Sequence, residues 1–214
     1  MCQSELELLI TDSARPPKRA AARWSTAIHE AGHAVVGVFY EIPITDVIID
    51  SHEAGRVNEV EGRVSYDRNK MNLHIQKSSR ARYASILIVT GFAGYIAELK
   101  AKPLADEANS ERDIEKTNEL LRKHFTYERK LDRETHSYRR PTETEIKIII
   151  NRRGCRLWLI AERLVHRFYP IVVIVARALI EQRKLTGHEV RAIAEPMIAK
   201  ERADLTSVCH RAFG

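Results

Sequence analysis

The five-residue sequence HEAGH at positions 29–33 constrains this chain more than any other part of it. Apolar residues and alanines recur at helical spacing between residues 25 and 40, and Pro43 follows, so this segment is predicted to be a helix. Residues four positions apart lie on one face of a helix, about one turn from each other. The imidazoles of His29 and His33 are therefore predicted to reach a common point in space.

Two imidazoles on one helical turn suit a tetrahedral zinc ion. Glu30 lies beside the first histidine, where its carboxylate can hydrogen-bond a water molecule in an open zinc position without binding the metal itself. The pattern predicts a zinc-dependent hydrolase with Glu30 as its general base. The alternative is an amphipathic helix whose two histidines are only packed polar residues.

A catalytic zinc needs a third ligand from outside this helix. A metzincin pattern is excluded, because Val36 and Phe39 occupy the positions that would hold glycine and histidine. Glu59 would suit a thermolysin-like site, but it lies in a strand-like stretch, which is the wrong setting. Asp113 follows Ser110 at the spacing of a helix capping box, so spacing alone favours a cap there. The residues by themselves leave the third ligand open.

Helical periodicity, runs of β-branched residues and capping patterns predict the strands and helices in the rest of the chain. The predicted elements are strands at 45–50 and 56–66, a long helix at 73–100, and helices starting at Ser110, Thr142 and Thr186. An interruption is expected near Pro170, after which helix resumes until Gly187. Gly91 and Gly94 would let another helix approach the long helix closely.

These elements predict a mainly α protein. A zincin-like metal-binding helix would lie beside a small β-sheet, and a packed helical layer would follow at the C-terminal end. The predicted domain covers residues 23–205, between a flexible N-terminal tail at 1–22 and a C-terminal tail at 206–214.

Composition narrows the class of protein further. A chain that is 44% hydrophobic and 30% charged is typical of a globular domain. The net charge of +6 permits acidic partners, but no aromatic platform or recognisable basic helix supports nucleic-acid binding. Three distant cysteines predict reduced thiols rather than disulfides. The N-terminus has no secretory pattern and the apolar windows at 86–99 and 171–180 are short, so we expect a cytoplasmic protein without a membrane span.

Three blocks of the sequence resemble the peptidase domain of the FtsH family of ATP-dependent zinc proteases. Residues 26–37, TAIHEAGHAVVG, look like the metal-binding helix of that family. Residues 91–99, GFAGYIAEL, are similar to its GGRxAEE block, and residues 109–117, NSERDIEKT, are similar to its ASNDIxxAT block. With a weaker similarity at 185–190, the resemblance covers about residues 24–195.

The resemblance implies that Asp113 is the third zinc ligand and that Glu98 is an acidic residue close to the metal. Glu111 and Arg112 replace the small and amide residues that precede the aspartate in the family, and Leu99 replaces a second glutamate. These departures concern substrate handling more than metal binding.

One family feature is missing from the sequence. No GxxxxGK[ST] phosphate loop occurs in the chain, so by itself it is not expected to be a nucleotide-driven unfoldase. A separate ATPase partner and a homo-oligomer are left open.

The sequence therefore predicts a zinc metalloendopeptidase that acts on peptides or unfolded proteins. The strand residues Gly62, Val64 and Tyr66 would pair with an extended substrate by β-addition, although an ordinary sheet strand explains them equally well. The alternative function is a non-catalytic zinc-binding or helical interaction module.

Overall fold

The computed structural model describes residues 18–51, 60–67, 69–71, 80–101, 108–125, 130–131, 138–139 and 142–199. The elements in chain order are α1 (Lys18–Phe39), β1 (Ile44–Ser51), β2 (Val60–Tyr66), α2 (Arg80–Lys100), α3 (Ala108–Phe125), β3 (Lys130–Leu131), β4 (Tyr138–Arg139), α4 (Glu143–Gln182), β5 (Lys184–Thr186) and α5 (residues 187–199). The protein is mainly helical with a small antiparallel sheet, which confirms the predicted class.

Helix α1 is the centre of the molecule. Every residue from 25 to 39 is buried, because α2, α4 and the sheet pack around this helix. Its small side chains allow a close crossing with α2 at Gly32, where an added Cβ would lie 2.7 Å from the carbonyl oxygen of Ala93. The crossing fixes which residues of α2 lie beside the histidines of α1.

The three-stranded sheet covers another side of α1. Its strand order is β2-β1-β5, with antiparallel pairing throughout, so β2 lies at an edge of this sheet. Val47 and Ile49 of β1 are buried and pair with Val64 and Gly62 of β2. Since side chains alternate along a strand, Gly62, Val64 and Tyr66 occupy the same face of β2.

Helix α4 forms the long C-terminal layer. It starts at a capping box in which Thr142 and Glu145 exchange side-chain and backbone hydrogen bonds, as predicted. It ends at Gln182 and is capped by Arg183, whose backbone is left-handed with φ of 65°. Thr186 and Glu189 form the second predicted capping box, at the start of α5.

The predicted interruption at Pro170 is wrong, because α4 runs through this residue. Proline removes one intrahelical hydrogen bond, but Pro170 itself is exposed, while Phe168, Ile171 and Val172 are buried on the opposite side. Tertiary packing of that apolar face keeps the helix continuous.

Several element boundaries also differ from the prediction. Helix α1 begins at Lys18, so residues 18–22 are helical and not part of the expected tail. Lysine, arginine and alanine there favour helix, although no apolar periodicity marks them. Strand β1 matches its prediction within one residue at each end. Strand β5 was missed, because three residues are too few to produce a periodic pattern, and residue 185 was expected in a helix.

Other parts of the prediction lie outside the described residues. These are residues 1–17 and 206–214 of the two tails, residues 56–59 of the second strand, and residues 73–79 of the long helix. Among the residues that are described, no helix combines the length and the apolar character needed to cross a bilayer.

Candidate metal centre

Three side chains from two helices meet beside the sheet. His29 and His33 come from consecutive turns of α1, and Asp113 comes from α3. Asp113 Oδ2 lies 2.9 Å from His29 Nε2 and 3.0 Å from His33 Nε2, and the two Nε2 atoms are 2.9 Å apart. These three residues form a group that could hold a metal ion.

The partners of the other ring nitrogens determine which atoms of the histidines face each other. His33 Nδ1 lies 2.7 Å from the carbonyl oxygen of Thr90, which can only accept a hydrogen bond. His29 Nδ1 lies 2.9 Å from Glu98 Oε2, a second acceptor. We therefore infer that both Nδ1 atoms carry protons, so each neutral ring has its lone pair at Nε2.

Consequently, three lone-pair donors converge on one point: two Nε2 atoms and a carboxylate oxygen. Such an arrangement is repulsive unless a cation lies among the three atoms. A tetrahedral site with bonds of 2.0–2.1 Å separates its ligand atoms by about 3.3 Å, close to the spacings in this cluster. The donor set and its spacing fit a small divalent metal ion.

The pKa values of the metal-free site follow from the same contacts. Burial lowers the pKa of His29, but its hydrogen bonds with Asp113 and Glu98 outweigh burial and raise the pKa to about 10. Burial raises the pKa of Asp113, yet the hydrogen bonds with both histidines hold that pKa well below its usual range. Without a metal, a proton on His29 supplies the positive charge that the cluster requires.

Glu98 and Ser25 hold the first histidine in place. Glu98 is 1% exposed and its second oxygen accepts a hydrogen bond of 2.5 Å from Ser25 Oγ. The series Ser25–Glu98–His29 therefore crosses from α1 to α2 and back to α1. Outer partners of this kind fix the orientation of a metal-binding imidazole and raise its basicity.

Glycines let the surrounding backbone approach the histidines and Glu30. A Cβ at Gly94 of α2 would collide with the imidazole of His33, and a Cβ at Gly62 of β2 would collide with the side chain of Glu30. The predicted close approach at Gly91 and Gly94 is therefore real. Gly91 faces Thr117 of α3, and Gly94 faces α1.

Glu30 lies next to the three converging atoms, at the wall of a cavity of about 280 Å³. This cavity is also lined by His33, Asp113, Gly62, Val64 and Tyr66. Glu30 is 6% exposed, and burial raises its pKa, although the two histidines oppose this rise. Burial also raises the pKa of the Tyr66 hydroxyl, so it stays protonated as a hydrogen-bond donor.

The structure thus brings the residues singled out in the sequence to one place. His29, Glu30, His33 and Asp113 are adjacent, Glu98 lies behind His29, and the strand Gly62–Tyr66 forms one wall of the cavity. The capping interpretation of Asp113 fails, because α3 begins at Ala108, before Ser110. Glu59, the thermolysin-like alternative, lies outside the described residues.

Sequence reasoning missed three contacts. Ser25 binds Glu98, the Thr90 carbonyl orients His33, and Lys116 Nζ donates a hydrogen bond of 3.0 Å to Asp113 Oδ1. The i,i+3 spacing of Asp113 and Lys116 on α3 was a usable signal. The other two contacts depend on the crossing of α1 and α2, which leaves no local pattern.

Comparison with known proteins adds no family assignment. No protein-family model matches the chain. No curated protein matches it significantly either.

Proposed function

We propose that the protein is a zinc metalloendopeptidase that hydrolyses peptide bonds in peptides or unfolded proteins. The observation that carries this proposal is the convergence of His29 Nε2, His33 Nε2 and Asp113 Oδ2 beside the buried carboxylate of Glu30. Two imidazoles and one carboxylate are a donor set that suits zinc, and three protein ligands leave a position open for water and substrate. A zinc ion held there would lower the pKa of its bound water to ~7.

Glu30 is the proposed general base. It is not one of the three converging ligands, and its carboxylate borders the cavity. A raised pKa suits a group that accepts a proton from the attacking water and then returns it to the leaving amine. Tyr66, which also lines the cavity, offers a protonated hydroxyl that can donate a hydrogen bond to the substrate carbonyl.

The edge strand supports a peptide substrate. Among the strands that the structure describes, β2 has one neighbour, β1, and its residues Gly62, Val64 and Tyr66 line the cavity. An extended peptide laid along β2 would gain backbone hydrogen bonds and pass directly in front of Glu30. A cavity of about 280 Å³ has room for a short extended segment of chain and not for a folded domain, which supports peptides and unfolded proteins as substrates.

We further propose a zincin-like fold and a relationship to the FtsH peptidase domain. The adjacency of Asp113 and Glu98 to the histidines supports this, because the sequence resemblance implied both positions. With no phosphate loop in these 214 residues, any coupling to ATP would come from another polypeptide segment or a separate ATPase. A homo-oligomer and a cytoplasmic location are part of the same proposal.

Glu30→Gln tests the proposed chemistry. The amide fits the same space but cannot accept the proton, so the variant should bind zinc like the parent and lose cleavage of unfolded casein. Glu115→Gln, on the exposed side of α3, makes the same chemical change away from the cavity and should keep full activity. Parental activity in Glu30→Gln would refute the mechanism. A parent that binds zinc tightly and cleaves nothing would instead indicate a non-catalytic zinc-binding module.

A further inference from the structure

The outward side of α4 carries a line of exposed arginines. Arg152, Arg156, Arg163, Arg167 and Arg177 are all exposed and fall within one narrow side of the helix at 100° per residue. Ile148, Leu159 and Ile174 lie on the same side, between or beyond the arginines. We call these eight residues the arginine stripe. It extends about 44 Å along the helix, at 1.5 Å per residue.

The aliphatic members of the stripe are unusually open to solvent. Their exposures are 56% for Ile148, 51% for Leu159 and 43% for Ile174. Among the described residues these are three of the four large hydrophobic side chains that are exposed, and the fourth, Met197, lies on α5. A single exposed aliphatic residue needs no explanation, but three aligned with five arginines indicate a binding surface.

Positive charge is concentrated along the middle of this helix. Residues 147–177 contain seven lysines and arginines and one acidic residue, Glu162. Glu143, Glu145 and Glu181 near the two ends bring the net charge of the whole helix to +3, seven basic against four acidic residues. Lys100 of α2 adds a further positive group beside the stripe, with its Nζ 3.3 Å from Nδ1 of His166. Arg156 and Arg167 also make contacts within the protein, and both remain exposed.

The spacing of the aliphatic residues distinguishes between partners. A helix packed along α4 would need apolar residues every three or four positions, whereas Ile148, Leu159 and Ile174 are 11 and 15 positions apart, with arginines between them. A nucleic-acid strand would use the arginines, but it would gain nothing from the aliphatic side chains, and no aromatic side chain lies on the stripe to stack with bases.

A flat anionic surface with an apolar layer below it would bind both the arginines and the aliphatic residues of the stripe. Arginines bind lipid phosphates and carboxylates, and aliphatic side chains between them enter the boundary between headgroups and acyl chains. A straight line of side chains on a rigid helix can contact a plane along its full length. We propose that the arginine stripe binds the surface of an anionic lipid bilayer, with α4 lying parallel to the membrane.

The expected effects follow from this geometry. Each arginine near an anionic surface strengthens partitioning about fivefold, so neutralising three of them should weaken it about 100-fold. The attraction should also fall steeply with added salt, because the arginines are exposed to solvent. Replacing Ile148, Leu159 and Ile174 with polar residues should weaken the membrane binding that remains at high salt.

The test is sedimentation of the full chain with vesicles of phosphatidylcholine and phosphatidylserine, beside vesicles of phosphatidylcholine alone. The parent should bind only the anionic vesicles, and the triple variant Arg152→Gln/Arg163→Gln/Arg177→Gln should lose about 100-fold in partitioning. The matched control removes the same charge from exposed lysines off the stripe: Lys70→Gln/Lys123→Gln/Lys184→Gln. This control should lose far less. A second variant, Ile148→Ser/Leu159→Ser/Ile174→Ser, should lower the binding that persists at high salt.

Three results would overturn the proposal. The parent could fail to bind anionic vesicles, or the off-stripe control could lose as much binding as the stripe variant, which would indicate net charge alone. Binding of single-stranded RNA that the stripe variant abolishes, without vesicle binding, would assign the surface to nucleic acid. Vesicle binding requires no hydrolysis, so this test is independent of the proposed peptidase activity.

Discussion

Gly62→Ala should inactivate the protein without removing its metal. The added Cβ would lie 2.5 Å from both Cγ and Oε1 of Glu30, whereas ordinary contacts begin near 3.4 Å. Glu30 must therefore move by about 0.9 Å, and a displacement of about 1 Å in a catalytic group can cost about 100-fold in rate. The three nearest atoms all belong to the side chain of Glu30, which can turn about its own bonds, and Gly62 does not have a left-handed backbone, so the fold should survive.

The assay compares kcat/KM for cleavage of unfolded casein with zinc content and thermal stability. Gly154→Ala is the matched control, because its Cβ would lie 3.4 Å from Leu121 Cδ1, an ordinary contact. In the middle of α4 this control should stabilise the protein by up to ~1 kcal/mol and leave activity unchanged. Parental activity in a folded, zinc-loaded Gly62→Ala protein would refute the assigned position of Glu30.

Two further predictions concern the support of His29. Ser25→Ala should weaken zinc affinity by about 10-fold, because losing a residue that holds a metal ligand in place typically costs about 10–100-fold in affinity. Ser25→Thr keeps the hydroxyl and should therefore keep the affinity. Unchanged zinc affinity in Ser25→Ala would contradict the proposed Ser25–Glu98–His29 series. In metal-free protein, His29 has its pKa raised from 6.5 to about 10, so its stabilising contribution is complete below pH 6.5 and lost as pH rises through about 10. Urea unfolding should show the free energy of unfolding falling by up to ~1.4 kcal/mol per pH unit in that window, and His29→Gln should flatten this slope.

The sequence predicts the central part of the site well, because helical geometry alone determines it. A spacing of four residues brings His29 and His33 to one side of α1 whatever surrounds the helix. The position of Glu30 beside the two histidines follows from the same helical geometry, because Glu30 directly follows His29. Asp113 and Glu98 were indicated by family resemblance and not by local pattern, since they lie 84 and 69 residues from His29.

The remaining contacts depend on how the helices cross. Ser25 reaches Glu98 only because Gly32 lets α1 and α2 approach closely, and no periodic signal encodes that distance. Spacing alone favoured a cap for Asp113, because Ser110 resembles a cap residue and the true start of α3 has no such signal. The sequence also could not predict that α4 continues through Pro170, because this continuity depends on packing against apolar residues of other elements.

Zinc titration by competition with a chromophoric chelator tests whether His29, His33 and Asp113 bind a metal ion together. We expect one zinc ion per chain in the parent and a loss of more than about 100-fold in affinity for Asp113→Ala. This loss exceeds the roughly 10–100-fold expected for a residue that only orients a metal ligand. Lys116→Ala, which removes only the hydrogen bond to Asp113 Oδ1, should stay near the parental affinity. A parent that binds no zinc, or an Asp113→Ala variant that is folded by circular dichroism and binds zinc as tightly as the parent, would contradict this assignment.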